Sequence, residues 1–195
     1  HDDDHYVTAR DMAKISKAAL ENETFRYVAC KPNYYIAPTN KDKHGKELWN
    51  HHKMVKRTMF NYDGVEGGKT GYTTKAGGTL VTFAKRGDQE LIAVDLCAHG
   101  YELYEDTIKM LNYGFNNYKT IAPFKTMNTV LKDDTYGFLK TGNELSPYKI
   151  PLKHLNDVTV MLEKKQSASK LTYKCKDNKY IISYDGKQIG SVKLH

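Results

Sequence analysis

The sequence predicts an α+β fold for its first part and a small all-β domain for its second part. Three observations support this: an amphipathic helical pattern near the start, a pair of apolar β-type runs near the centre, and short β-type runs separated by turn residues from about Lys119 onward. We therefore expect two domains, residues 1–118 and residues 119–195. A length of 195 residues permits two modest hydrophobic cores.

The first predicted element is a helix in the segment TARDMAKISKAALE. Its apolar side chains recur at helical spacing, and Thr8 stands where an N-cap residue belongs. The expected buried stripe is Met12, Ile15, Ala19 and Leu20. From residue 23 to 62 the periodicity is poor, so we expect a long excursion with short strands around YYIAP and a turn of helix near LWNHHKMV.

Three extended segments follow, at residues 67–72, 79–85 and 91–98. The link RGDQE between the last two indicates an antiparallel hairpin. The next segment, residues 101–118, has helical spacing and is expected to pack across the sheet through Leu103, Thr107, Met110, Leu111 and Phe115. In the second domain the predicted strands are NTVLK, YGFLK, VTVMLEK, KLTYKC, YIISYD and QIGSVKLH.

Composition limits the classes of protein to consider. The 39% hydrophobic and 27% charged content is that of a globular protein, and no apolar run has the length needed to cross a bilayer. The three cysteines, Cys30, Cys97 and Cys175, show no CxxC spacing. Cys97 ends the run LIAVDLCA, which favours a buried thiol. We expect neither a metal site nor a cofactor.

The net charge of +7 belongs to the second domain. Residues 119–195 contain 14 Lys, no Arg and 7 acidic residues, whereas residues 1–118 contain 16 basic and 16 acidic residues. Such a basic module suits an anionic wall polymer or membrane surface, and a solvated strand face is the alternative. Nucleic acid is a poor candidate partner, because arginine and an aromatic stacking platform are missing from the module.

The stretch GGKTGYTTKAGG at residues 67–78 is the strongest functional signal. A strand would direct Lys69 and Thr70 to opposite faces, so both reach one ligand only from an edge strand that borders a cleft. Glycines 67, 68 and 71 would let a ligand lie alongside that strand. An ammonium and a hydroxyl together suit a carboxylate. A glycine-weakened edge strand with a solvated lysine is the alternative.

The same tripeptide recurs at Lys140, Thr141 and Gly142, followed by Asn143. Short polar residues of this kind reverse a chain without further explanation, so the second copy is interpreted as a turn.

The stretch from Gly64 to Gly77, followed by LVTFAKR, ELIAVDLCA and EDTIKMLNYGF, resembles the C-terminal half of serine-type D-alanyl-D-alanine carboxypeptidases, the low-molecular-mass penicillin-binding proteins of peptidase S11 type. The opening HYVTARDMAKIS resembles the helix that follows the second active-site motif of that family. The resemblance implies a β-lactamase/transpeptidase-like first domain, and it covers residues 1 to about 118.

The resemblance also implies roles for individual residues. That family cleaves the terminal D-alanine from peptidoglycan stem peptides and reacts with β-lactams. By this resemblance Lys69 and Thr70 engage the substrate carboxylate, Gly71 clears the approach, and the Tyr72 backbone N–H completes the oxyanion hole. Thr73 is a further expected substrate contact. The implied location is extracytoplasmic, at the cell wall or membrane.

The sequence departs from the family pattern because neither SxxK nor SxN precedes Lys69. Ser16, the only serine before that position, is followed by Lys-Ala-Ala. Two SxxK strings occur later, at 146–149 and 167–170, in the wrong order for the family. We therefore expect a fragment that lacks the nucleophile and is inactive alone. A serine β-lactamase and a non-catalytic wall-binding paralogue are the alternatives.

Other stretches of the sequence also contain side chains that could form a site. HDDDH at residues 1–5 combines histidines with acids but lacks further metal-ligand spacing. His44, His51 and His52 are expected in a polar loop. The cationic side chains that could assist carboxylate binding are Arg57, Lys75 and Arg86.

Overall fold

The computed structural model describes residues 2–56, 59–122, 129–131, 136–141, 144–145, 150–151, 158–177 and 179–193. Two units divide the chain, His1–Asn116 and Asn117–His195. The first combines helices with antiparallel sheets, and the regular elements described in the second are strands apart from one short 3-10 helix. The predicted α+β class is confirmed.

The opening helix, α1, spans Ala9–Leu20, and Thr8 caps it by accepting a hydrogen bond from the Asp11 amide at 3.1 Å. The predicted cap is therefore confirmed. Ser16 is the buried residue of this helix, whereas Ile15 is 56% exposed. The prediction was wrong for Ile15, because the contact face follows Met12, Ser16 and Ala19, at helical spacing along one side.

A second helix, α2, spans Glu23–Ala29 inside the segment predicted to be irregular. Asn22 caps it through a 3.0 Å hydrogen bond from the Phe25 amide. Strands β1 (Asn33–Ile36) and β2 (Lys46–Trp49) then form an antiparallel pair, which confirms the strand near YYIAP. The helical turn predicted near LWNHHKMV was wrong for its first residues, since Leu48 and Trp49 belong to β2. A helical hydrogen bond occurs only later, from the Lys56 amide to the His52 carbonyl.

The main sheet of the first unit contains β3 (Val65–Thr73), β4 (Gly77–Arg86) and β5 (Gln89–Ala98). All neighbours are antiparallel, and β4 is the central strand. The three predicted strands and the hairpin between the last two are confirmed. Each strand extends beyond the predicted range because the ladder hydrogen bonds continue into the turns.

Helix α3, Glu102–Asn117, covers one face of this sheet. Its buried side chains join those of β4 and β5 in one core, which contains Met54, Leu80, Ala84, Ala93, Leu103, Tyr104, Leu111 and Phe115. Of the predicted stripe, Met110 is 38% exposed, and Tyr104 takes the buried place instead. On the other face of the sheet, Phe83 contacts the ring of Phe25 from α2, with centroids 6.4 Å apart.

The second unit is built from short strands. They are β6 (Tyr118–Ile121), β7 (Thr129–Leu131), β8 (Tyr136–Thr141), β9 (Glu144–Leu145), β10 (Ile150–Pro151), β11 (Val160–Glu163), β12 (Leu171–Lys176), β13 (Lys179–Tyr184) and β14 (Lys187–Lys193). The last three form an antiparallel sheet in the order β12-β13-β14. Leu162, Leu171, Tyr180 and Ile182 form the buried core of this unit. All six predicted strands are confirmed, and β6, β9 and β10 were not predicted.

Within the described ranges, every helix is too short or too polar to span a lipid bilayer.

Candidate active site

Strand β3 lies at the edge of its sheet. Among the described residues it pairs with β4 alone, with Lys69 opposite Val81 and Thr70 opposite Leu80. The predicted edge position is therefore confirmed. An edge strand presents unpaired N–H and C=O groups on its outer side, which another extended chain can pair with.

The candidate ligand-binding residues follow one another along this edge. Lys69 is exposed, and its ammonium donates to the carbonyl oxygen of Thr70. Thr70 is half-buried, and Tyr72 is 76% exposed. The Thr73 hydroxyl oxygen accepts a 3.1 Å hydrogen bond from the Ala76 amide and so helps to form the turn into β4.

Other residues of the same chain occupy the space beside the glycines of β3. A Cβ at Gly67 would lie 2.6 Å from the Cys30 Sγ at the end of α2. At Gly68 it would lie 2.1 Å from the Val81 carbonyl oxygen and 2.6 Å from His52 Cδ2. The sequence-based reason for these two glycines, clearance for a ligand, was wrong, because their free space is taken up by α2 and by His52. At Gly71 a Cβ would meet the Thr79 hydroxyl at 2.5 Å.

His52 is a component of this region that the sequence analysis missed. It lies outside any helix or strand, as expected of a loop, but it is 0% exposed, so the expected polar surroundings were wrong. Its Nε2 lies 2.9 Å from the Thr82 hydroxyl, and its ring meets that of Tyr104 edge-on at 5.8 Å. Burial lowers the pKa of His52 to about 4, against the opposing effect of backbone hydrogen bonds at Val81 and at His52 itself. The ring is therefore neutral at pH 7.

An ionic network joins α2 to the sheet at the start of β3. The Arg26 guanidinium contacts the Glu66 carboxylate at 2.8 Å and the Glu90 carboxylate at 3.3 Å, and Lys85 donates to Glu90 at 2.9 Å. Desolvation pushes the pKa of Glu90 upward, but the Lys85 hydrogen bond and the Arg26 charge outweigh it, so the net shift is downward. Beside this network, burial and the Glu66 charge raise the pKa of the Cys30 thiol. The network holds the base of β3 against α2.

The other candidate cationic side chains contact residues away from Lys69 or lie outside the described residues. Arg86 donates to the Asp63 carbonyl at 3.0 and 3.1 Å and lies over the Tyr62 and Phe115 rings. Lys75 pairs with Asp3. Arg57 lies outside the described residues. In the ranges that the structure describes, no three His, Cys, Asp or Glu side chains are grouped as metal ligands.

Cys97 is exposed rather than buried. Its backbone adopts a φ of 65° where the β4–β5 register shifts between Gly78 and Thr79. This irregularity breaks the alternation of buried and exposed side chains along β5, so Cys97 does not take the buried position that the apolar run LIAVDLCA predicted.

Ser16 and Ser167 occupy structural positions in the described part of the chain. Ser16 is 6% exposed within α1. At 167–170, the Ser167 hydroxyl accepts from the Ser169 amide and caps the short 3-10 helix Ala168–Lys170. A hydrogen bond to Asp185 raises the pKa of Lys170, which opposes a role as a base. The string at 146–149 lies outside the described residues.

The second KTG copy lies at the end of β8, where Lys140 pairs with Leu145 and Thr141 with Glu144. Its glycine, Gly142, lies outside the described residues. The interpretation as a turn was therefore wrong for Lys140 and Thr141, which belong to β8.

Comparison with known sequences gives a consistent result. The model of the peptidase S11 family, D-alanyl-D-alanine carboxypeptidase, matches residues 1–100. The D-alanyl-D-alanine carboxypeptidase DacF of Bacillus subtilis is 29% identical over 97% of this chain, which covers 46% of DacF. DacC of Escherichia coli is 32% identical over 62% of this chain and 28% of its own length. The chain thus spans less than half of these relatives.

Solved structures agree with the sequence matches. Penicillin-binding protein 5 of Haemophilus influenzae shares the fold, with a TM-score of 0.62 and 23% identity, over 99% of this chain and 56% of its own. A mutant of the Streptomyces K15 DD-transpeptidase has a TM-score of 0.52 and 30% identity over 57% of this chain and 44% of its own. The resemblance seen in the sequence is confirmed, and because the family model matches half of the chain, this chain belongs to the peptidase S11 family of D-alanyl-D-alanine carboxypeptidases.

Proposed function

We propose that this chain carries the carboxylate-binding part of a serine-type D-Ala-D-Ala carboxypeptidase that removes the terminal D-alanine of peptidoglycan stem peptides. The observation that carries the proposal is that Lys69 and Thr70 lie on a strand that pairs with β4 alone among the described residues, within the region that matches the family model. The enzyme would act outside the cytoplasmic membrane, at the cell wall, and its other ligands would be β-lactams.

Each group at the edge has a defined task in this proposal. A stem peptide would pair with the free backbone groups of β3 as an additional strand. Its C-terminal carboxylate would accept hydrogen bonds from the Lys69 ammonium and the Thr70 hydroxyl, both suited to an anion. In the structure the Lys69 ammonium contacts the Thr70 carbonyl, so a carboxylate would displace this local contact. Gly71 and Thr73 would border the bound peptide.

Tyr72 would contribute through its backbone rather than its ring. Hydrogen-bonding directions alternate along an antiparallel strand, so Tyr72 directs its N–H to the same side as the groups of Thr70. The contact between the Lys69 ammonium and the Thr70 carbonyl supports an outward direction for that side. An N–H there could stabilise an oxyanion, and the loss of one such donor typically costs about 10²- to 10³-fold in rate.

These 195 residues contain no serine in the order that the proposed reaction requires. The reaction needs an activated serine, and the only serine before Lys69 is Ser16, which is buried in α1. We therefore propose that these 195 residues bind the substrate terminus without cleaving it. The same observation favours, as a second candidate, a nucleophile-free protein that binds D-Ala ends at the wall.

The experiment that tests the clamp is a titration of the isotope-labelled chain by NMR. The probe is a tripeptide that ends in D-Ala-D-Ala, used up to several millimolar, and the comparison is the same peptide with an amidated C-terminus. We expect amide shifts along β3 with the free acid and much smaller shifts with the amide. Lys69→Gln should abolish the difference, and Lys140→Gln, which alters the other KTG copy, should preserve it.

Equal shifts with the acid and the amide, or shifts confined to residues away from β3, would contradict a carboxylate clamp at Lys69. To separate the two candidate functions, D-alanine release is measured after the chain is joined to a family segment that carries SxxK and SxN. Release from the joined protein supports the carboxypeptidase. Peptide binding without release supports the nucleophile-free binder.

The second unit has a proposed role of its own. Its net charge of +7, from 14 Lys and 7 acidic residues at 119–195, suits contact with an anionic wall or membrane surface.

A further inference from the structure

The sheet β12-β13-β14 has one face that packs into the core and one that does not. Leu171, Tyr180 and Ile182 belong to the buried core, with Tyr173, Tyr184 and Val192 packed against them. Because side chains alternate along strands, the residues between these lie on the opposite face. That face carries Lys174, Lys176, Lys179 and Lys193, all exposed, and we call these four residues the lysine face.

The register brings the four lysines together at one end of the sheet. Lys176 lies directly opposite Lys179, and Lys179 lies directly opposite Lys193. Residues paired in this way have Cβ atoms about 5 Å apart, and Lys174 is about 7 Å from Lys176 along its strand. The face therefore presents a row of three ammonium groups across the strands, with a fourth behind the row.

Nothing in these three strands neutralises the row. The strands LTYKCK, KYIISY and KQIGSVK contain no acidic residue, and the neighbouring Asp177 stands in the turn between β12 and β13. Within the described residues, no ion pair joins any of the four, whereas Lys170 nearby in sequence pairs with Asp185 at 3.0 Å. Like charges directly opposite one another destabilise a sheet, so this arrangement costs the isolated fold free energy.

Protection of the sheet edge does not account for the cluster. Lysines on edge strands prevent unwanted pairing with other chains, which could explain Lys176 on β12 and Lys193 on β14. Lys179, however, belongs to the central strand β13. A charge on the central strand, aligned with both neighbours, is better explained by a ligand that bears several negative charges.

We propose that the lysine face binds the anionic headgroups of a lipid surface. The four lysines lie on the face of a sheet and not in a groove. Such a face fits a flat array of headgroups better than it fits a single polymer strand. Lysine ammonium groups act as point charges that need no fixed geometry, and each contributes to attraction by an anionic bilayer. Ile181 stands opposite Lys174 and is half-buried, so it adds an apolar contact between the charges. This inference deepens the role proposed for the second unit and is independent of the reaction at Lys69.

The test is co-sedimentation of the 195-residue chain with vesicles at low salt. One vesicle set is phosphatidylcholine alone, and the other contains phosphatidylglycerol in equal proportion. We expect binding only to the second set, and its loss at 500 mM salt. The triple variant Lys176→Gln, Lys179→Gln, Lys193→Gln should bind about a hundredfold more weakly, at about fivefold per lysine.

The control is a second triple variant, Lys41→Gln, Lys43→Gln, Lys46→Gln, which removes the same charge from the first unit. It should retain most of the binding, and circular dichroism should show that both variants are folded. Equal losses in the two triples would overturn the proposal, since overall charge would then suffice. Binding to soluble polyphosphate but not to vesicles would also overturn it in favour of a polymer. The variant Lys69→Gln should bind vesicles normally. Failure of the carboxylate-binding proposal at Lys69 can therefore be distinguished from failure of the lipid-binding proposal.

Discussion

Gly68 on β3 lies against the imidazole of His52, so the strand that carries Lys69 rests on a buried histidine ring. A Cβ at residue 68 would stand 2.6 Å from His52 Cδ2 and 2.8 Å from His52 Nε2. The same ring bonds Thr82 on β4, the register partner of Gly68. The position of the candidate clamp is therefore coupled to the packing beneath it.

Gly68→Ala should destabilise the first unit by about 1–3 kcal/mol, the usual cost of overpacking. The new methyl group meets the Val81 backbone at 2.1 Å, which cannot move aside as a flexible side chain could. Urea unfolding followed by tryptophan fluorescence of Trp49 measures the change. Gly190→Ala, in the second unit, is the control and should leave the Trp49 transition unchanged, because a Cβ there meets nothing within 4 Å. If the two substitutions had equal effects, the contacts at residue 68 would not be the reason that glycine is needed there.

His52 should make stability depend on pH between about 6.5 and 4. Its folded pKa of about 4 lies below the usual 6.5, so the unfolded chain binds the proton more readily. The stabilisation is fully present above pH 6.5 and is lost as the pH falls toward 4, by at most about 3 kcal/mol. Guanidinium unfolding at several pH values gives the slope. His52→Asn should flatten that slope. An unchanged slope would show that other titratable groups cause the pH dependence.

Arg26 and Glu66 should show a small favourable coupling in a double-mutant cycle. Both side chains are about one-third exposed, at 33% and 36%, so solvent screening limits the pair to about 0.5–1 kcal/mol. The variants are Arg26→Gln, Glu66→Gln and the combination, compared by urea unfolding. The coupling should shrink at high salt. A coupling that does not respond to salt would indicate packing by the arginine stem instead.

The 195-residue chain should remain unlabelled by a fluorescent penicillin. Acylation needs an accessible, activated serine, while Ser16 is buried and Lys170 near Ser167 is engaged by Asp185. Gel fluorescence after incubation reads the result, and a complete S11 carboxypeptidase serves as the positive control. A labelled band that disappears on mutation of one serine would place a nucleophile within these residues.

The local patterns of the chain identified the strands β1, β3 to β5, β7, β8 and β11 to β14, the helices α1 and α3, and the edge strand of the candidate site, but missed β2, β6, β9 and β10. These patterns are alternation with period two, helical spacing and glycine-containing turns. Each extends over only a few residues, so it can be recognised without the rest of the chain. Helix α2 was missed because its seven residues, Glu23–Ala29, show no sustained apolar stripe and bury no side chain completely.

The sequence by itself determined the α+β class, the family resemblance and the stretch that contains Lys69, because each depends on residues close together in the chain. Tertiary structure decided which neighbours use the space at Gly67 and Gly68, the burial of His52 and the exposure of Ile15 and Cys97. The contacts responsible join residues far apart in sequence, such as His52 with Thr82, 30 positions away, and Arg26 with Glu90, 64 positions away. Such pairs form only when helices and strands pack, and their packing set the pKa of His52.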